Sequence, residues 1–160
     1  MAKESTKKRV AAFTIAIARA LDSSVQEIRS MARGAYLHDC DSDSIPFPDA
    51  AEIVAAQHES YDGTGFPKAL KGDEIPLGAR ILRVADALDA LLTGRPPLGG
   101  NVIRWINTER RHHRAVSILE AREEIQHASG ALFDPKVVNA FLGIPDGVWA
   151  DLIQEISKND

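Results

Sequence analysis

Two pairs of side chains in this chain are able to hold a cation or a phosphate: His58-Glu59 and, one helical segment later, Asp86 and Asp89. Imidazole and carboxylate are common donors to a divalent metal. Asp86 and Asp89 are three apart, so on a helix they share a face, and Leu82 and Ala85 lie on that same face. Carboxylates on an inward stripe are costly unless they are paired, hydrogen-bonded or bound to a cation. Two readings follow: one Asp pairs with an Arg such as Arg80 or Arg83 while the other is exposed, or the pair serves a metal or phosphate site. Between the pairs, Asp62-Gly63 is a turn signal and Gly65 adds a second permissive position, while Phe66-Pro67 restricts the exit. By residue type alone these are turn residues before they are site residues.

The elements that must position these groups are helical. From Ile75 to Leu92 the residues Ile81, Leu82, Val84, Ala85, Leu88, Leu91 and Leu92 recur at helical spacing, with Pro76 suited to a first turn. Val10, Phe13, Ile17, Ala20 and Leu21 give Ser5 to Leu21 an inward stripe, preceded by a basic, solvated start of Lys3, Lys7, Lys8 and Arg9. Ser24 with Glu27 predicts a capping box at the start of a helix running to His38-Asp39. Further on, Val116, Leu119 and Ile125 point inward from a helix over Ala115 to Ala128, and Asp134-Pro135 predicts another helix start. Trp149, Leu152, Ile153 and Ile156 share a face of the last segment, which suits either a cover for the core or a dimer contact. Alternating strand-like runs are missing, so the fold class is all-α.

Composition bounds the function. At 160 residues the chain is one domain, long enough to bury a core. It holds no apolar run of about 18 residues to span a bilayer, and Met1 to Val10 carry no signal-peptide pattern, so a cytoplasmic location without a membrane partner is expected. The single cysteine, Cys40, excludes an intramolecular disulfide. A formal net charge of -4 argues against duplex nucleic acid as a partner, while local basic patches still suit a small anion.

His58-Glu59, Asp62-Gly63, Gly65-Phe66-Pro67, Leu70-x-Gly72, Ile75-Pro76, Ala79-Arg80-Ile81, Val84-Ala85-Asp86 and Asp89-Ala90-Leu91, in this order and spacing, resemble the signature of the HD-GYP family. That family comprises metal-dependent phosphodiesterases of the HD phosphohydrolase group, acting on cyclic dinucleotides, chiefly cyclic di-GMP. The resemblance implies an HD-domain-like helical bundle over residues 1–160. It makes His38-Asp39 the counterpart of the eponymous pair, with catalytic and metal roles, and adds His58 and Asp86 as metal ligands. It implies ligand contacts from Asp89, Arg95, Gly63 and Gly65, and a divalent transition metal, Fe, Mn or Zn, as one ion if any. A His-Asp dipeptide taken alone is an ordinary surface pair, since adjacent helical side chains diverge by about 100 degrees.

The chain departs from the family pattern at several ligand positions. Thr6 stands where the family carries a metal-binding His, Gln57 replaces the first His of a His-His-Glu run, and the Lys that follows His-Asp has no counterpart. Cys40-Asp41-Ser42-Asp43-Ser44 leads directly into Ile45-Pro46, so a helix and its loops are deleted near 40–45. Asn101 to Arg114 resembles an insertion, near 99–115, whose basic face is solvated, meets an acidic partner or contacts a nucleotide. Neutral side chains are poor substitutes for lost ligands. The expected function is that of a cyclic di-GMP phosphodiesterase-like domain with reduced or lost activity; the alternative is a non-catalytic module of bacterial signalling that engages other proteins, with a homodimer left open.

Overall fold

A computed structural model describes residues 2–95 and 114–159 of the chain. Among these residues seven α-helices follow in order: α1 Ala2–Ala20, α2 Val25–Tyr36, α3 Pro48–Ala55, α4 Leu77–Thr93, α5 Ile118–His127, α6 Pro135–Gly143 and α7 Asp146–Lys158. Single 3-10 turns at Ser42–Ser44 and Gly72–Glu74 interrupt two connections. Among the described residues there is no β-strand, in line with the all-α expectation.

The core is organised around α4. Twelve of its residues are buried, on all sides, and they include Arg83 and Asp89 beside the apolar set. A helix apolar all round belongs in the interior, and α4 packs against α1, α2, α3, α5 and α6. Gly78 makes the close approach possible: a Cβ there would stand 2.5 Å from Ile53 Cδ1, and one at Gly34 would meet Ile53 Cγ2 at 3.0 Å. Ile53 of α3 is thus seated between glycines of α2 and α4.

Local sequence sets most helix ends. Ser24 and Glu27 form the capping box of α2, and Asp134 caps α6 by accepting from the Lys136 amide, with Pro135 at the first position. Gly94, at φ 70, ends α4 in the left-handed conformation that a glycine adopts without strain. At α5 the expectation needs correction. Ser117 caps a helix that begins at Ile118, which puts Val116 ahead of it and turns Leu119 outward at 60% exposure. The final helix packs on α1, where Trp149 lies edge-on to Phe13 with ring centroids 5.5 Å apart and contacts Phe141 at 5.4 Å. Among the described residues no helix is long and apolar enough to cross a membrane. Most of the basic segment after Gly100 lies outside the described residues.

Candidate functional site

The His-Asp pair sits on the turn that follows α2. His38 is 3% exposed, and its Nδ1 lies 2.6 Å from the Ala35 carbonyl. A carbonyl only accepts, so Nδ1 carries the hydrogen in this contact and Nε2 is the ring nitrogen left for another partner. That Nε2 is buried without a partner, 4.0 Å from Asp86 Oδ1. Asp39 reaches to α1, where Lys7 Nζ lies 3.1 Å from its Oδ1. Burial opposes ionisation of Asp39, yet Lys7 and His38 hold its carboxyl below the usual range; the same contact raises Lys7. The two residues of the dipeptide therefore point to different partners.

The segment after α3 supplies the second imidazole. His58 Nδ1 is buried without a partner, and the ring stacks on Phe66 at 5.1 Å. Burial, and then the Arg83 guanidinium, push His58 down from the ordinary histidine value, which favours the neutral ring. Gln57 braces the His-Asp turn by donating from Nε2 to the His38 carbonyl at 2.8 Å. Its own carbonyl accepts from Arg83 at 3.2 Å, and burial pulls that guanidinium down to about 10. Glu59 is buried, and its two oxygens accept from the amides of Lys68 at 2.7 Å and Leu70 at 3.0 Å, folding the loop back on its start.

Gly63 and Gly65 serve this loop rather than the cavity wall. Gly63 holds φ 86, and a Cβ on Gly65 would stand 2.2 Å from the Ser60 amide nitrogen. Neither glycine lines the cavity described below.

Asp86 and Asp89 are both matched by arginines, though not by the pair that spacing suggested. Arg80 goes to Asp134 at 2.6 Å and to Asp73 at 3.1 Å, while Arg83 lies beneath Gln57. Arg95 spans the two carboxylates, with Nη2 2.6 Å from Asp86 Oδ1 and Nε 2.7 Å from Asp89 Oδ2. Arg9 of α1 adds a contact of 2.5 Å to Asp89 Oδ1, and donates to Thr6 Oγ1 at 3.3 Å. Asp89 is fully buried, so the reading that leaves one Asp exposed does not hold.

Above this layer opens a cavity of about 910 Å³, walled by α1, the His-Asp turn, Gln57-His58 and the end of α4. Lys3, Lys7, Arg9 and Arg95 line it together with His38 and His58, and Asp39 is the one carboxylate in the wall among the described residues. The start of α1 is therefore a cavity wall in part, rather than a wholly solvated face. Sequence reasoning missed Lys7 and Arg9; the available signal was the helical spacing that puts Arg9 three residues beyond Thr6, at the place of a family ligand.

A metal of the kind the resemblance implies would need several of these donors at once. Two buried imidazole nitrogens are uncommitted, but Asp86 is engaged by Arg95 and Asp39 by Lys7. Among the described residues no group of three or more His, Cys, Asp and Glu side chains is placed to hold a metal ion. As arranged, the described residues do not fit a divalent cation.

Comparison with known proteins agrees with the frame. A probable cyclic di-GMP phosphodiesterase of Vibrio cholerae is 36% identical over 111 residues, covering 69% of this chain and 22% of that protein. A cyclic di-GMP phosphodiesterase of Thermotoga maritima is 38% identical over 92 residues, covering 58% of this chain and 21% of that protein. The chain thus spans about a fifth of the length of these relatives. The crystal structure of a cyclic GMP-AMP specific phosphodiesterase of V. cholerae superposes with a TM-score of 0.66 at 19% identity, over 95% of this chain and 48% of that one, a likeness of fold. The model of the HD domain matches residues 41–137, from just past the His38-Asp39 turn through α4 to the start of α6. That match takes in more than half of the sequence, and with the signature running from His58 to Leu91 it establishes that the chain belongs to the HD-domain family, of HD-GYP type.

Proposed function

We propose that this domain binds a cyclic dinucleotide in the cavity beside α1 and hydrolyses it weakly or not at all. The observation that carries the reading is the charge of the wall: among the described residues Lys3, Lys7, Arg9 and Arg95 line it with one carboxylate, Asp39, and the cluster stays net positive even when Asp86 and Asp89, the ion-pair partners of Arg95 and Arg9, are included, in a chain whose net charge is -4. A local cationic concavity in an acidic protein selects for an anionic ligand. The volume, about 910 Å³, falls within the range of roughly 300–1,000 Å³ usual for small-molecule sites. Relatives named for cyclic di-GMP and for 3'3'-cGAMP supply the ligand class.

Weak chemistry follows from the same contacts. With Asp86 held by Arg95 and Asp39 by Lys7, neither carboxylate is available to position or activate a water. A single Fe, Mn or Zn ion on His38, Asp39, His58 and Asp86 would require both carboxylates to leave their present partners. Each lost electrostatic group in a phosphoryl-transfer site commonly costs about 3 kcal/mol of transition-state stabilisation.

Calorimetric titration of the purified chain with cyclic di-GMP and with 3'3'-cGAMP tests the reading. Saturable binding of either, weakened by Arg9→Met, is the expected result; no binding of either removes the proposal. Turnover in the presence of Mn or Fe that His38→Ala and Asp39→Ala abolish would replace it with an active phosphodiesterase.

A further inference from the structure

The carboxylate pair of α4 is neutralised from within the chain. Asp86 and Asp89 carry two negative charges, and Arg9 and Arg95 bring two positive ones to contacts of 2.5 to 2.7 Å. Side-chain exposure in this group runs from 0% at Asp89 and 13% at Asp86 to 17% at Arg9 and 19% at Arg95. Arg95 reaches both carboxylates because Gly94, at φ 70, reverses the chain at the end of α4 and lays the next residue back along the helix. The guanidinium also lies 3.2 Å from the Asp86 carbonyl, so one side chain meets three acceptors on two successive turns.

We propose that Arg95 is a resident cation that takes the place of a metal ion on Asp86, so that ligand binding in this pocket is metal-independent. The charge balance supports it. A divalent ion added to a neutral, mostly buried group of four would leave two uncompensated positive charges away from water, which is strongly unfavourable. Asp86 becomes available to a metal only when Arg95 leaves, and a guanidinium cannot leave by losing a proton at any ordinary pH. His38 Nε2 and His58 Nδ1, both buried and unpartnered, are then the two donors that a metal would use once Asp86 is freed.

The test compares the full chain with Arg95→Gln, both purified without chelators. Metal content is measured by mass spectrometry and Co(II) binding by its visible ligand-field bands. The wild-type chain is expected to hold no stoichiometric metal and to show weak Co(II) absorption. Arg95→Gln is expected to bind Co(II) roughly tenfold tighter or more, and His38→Ala on that background to reverse the gain. A wild-type chain that retains one ion, lost on Asp86→Asn, overturns the proposal; so does a folded Arg95→Gln chain that binds Co(II) no better than wild type. Should the Arg95→Gln chain not fold, wild-type metal content with and without Asp86→Asn decides. Binding of cyclic di-GMP that is unchanged by a chelator supports metal independence, and binding abolished by it overturns it. Failure to bind any cyclic dinucleotide would count against the proposed function alone, because the metal measurements stand without it.

Discussion

Glu59→Gln exchanges one carboxylate oxygen for an amide nitrogen at a side chain that is 2% exposed. Both oxygens are in use, one accepting from the Lys68 amide at 2.7 Å and the other from the Leu70 amide at 3.0 Å. A Gln side chain accepts through one oxygen only, so its NH2 must face one of these N–H donors. The loss of one charge-assisted hydrogen bond, together with a buried donor left unmade, amounts to about 2–4 kcal/mol. Arg83, buried nearby, also loses a negative charge that favours its charged form. For a domain of this length about 1 kcal/mol moves Tm by roughly 2–4 °C, so a fall of about 5–15 °C is expected. Urea unfolding followed by circular dichroism gives the free energy directly, and the thermal midpoint checks it. Because the 59–70 loop carries Phe66 against His58, the same substitution should also weaken dinucleotide binding. A folded Glu59→Gln chain within about 0.5 kcal/mol of wild type would show that the loop is not held by this carboxylate.

Three further outcomes follow from particular contacts. Asp134→Ala removes both the cap on the Lys136 amide and the buried partner of Arg80 at 2.6 Å, and should cost about 3–5 kcal/mol by urea unfolding. Lys7→Met takes a cation from the cavity wall and leaves Asp39 uncompensated, so affinity for cyclic di-GMP should fall by roughly tenfold or more, about 1.4 kcal/mol, with a shallower salt dependence in titration. His58 is lowered when folded, by burial first and then by Arg83, against about 6.5 when unfolded. Its contribution to stability is therefore full above about pH 6.5 and declines as pH falls toward its folded value, since the unfolded chain takes up the proton first. Unfolding measured over that window should show a smaller loss on acidification in His58→Gln than in wild type.

Much of the fold was legible because it rests on short-range rules. The capping box of Ser24 and Glu27, the Asp134-Pro135 start and the apolar periodicity of α4 each depend on residues a few positions apart. The glycine and proline pattern from Asp62 to Pro67 likewise announced the sharp loop, although what it serves, a close backbone approach at Gly65, emerged only with the coordinates. Leu119 shows the limit within one element: a cap at Ser117 rotates the helix relative to its apolar residues, and a single side chain changes face.

The sequence by itself determined most of the helices and the identity of the groups that gather near α4, whereas it ran the second helix on through His38-Asp39, which the structure places on a turn after Tyr36. Only the tertiary structure decided which charges meet. Arg9 and Asp89 are eighty residues apart, and no short-range rule pairs them. Helical spacing offered Arg80 and Arg83 to Asp86 and Asp89, yet packing sent those two to Asp134 and Gln57 and folded Arg95 back in their place. A long side chain is free to choose among many partners in an unfolded chain. The choice is made when burial removes water as a competitor, and that depends on which helices come together.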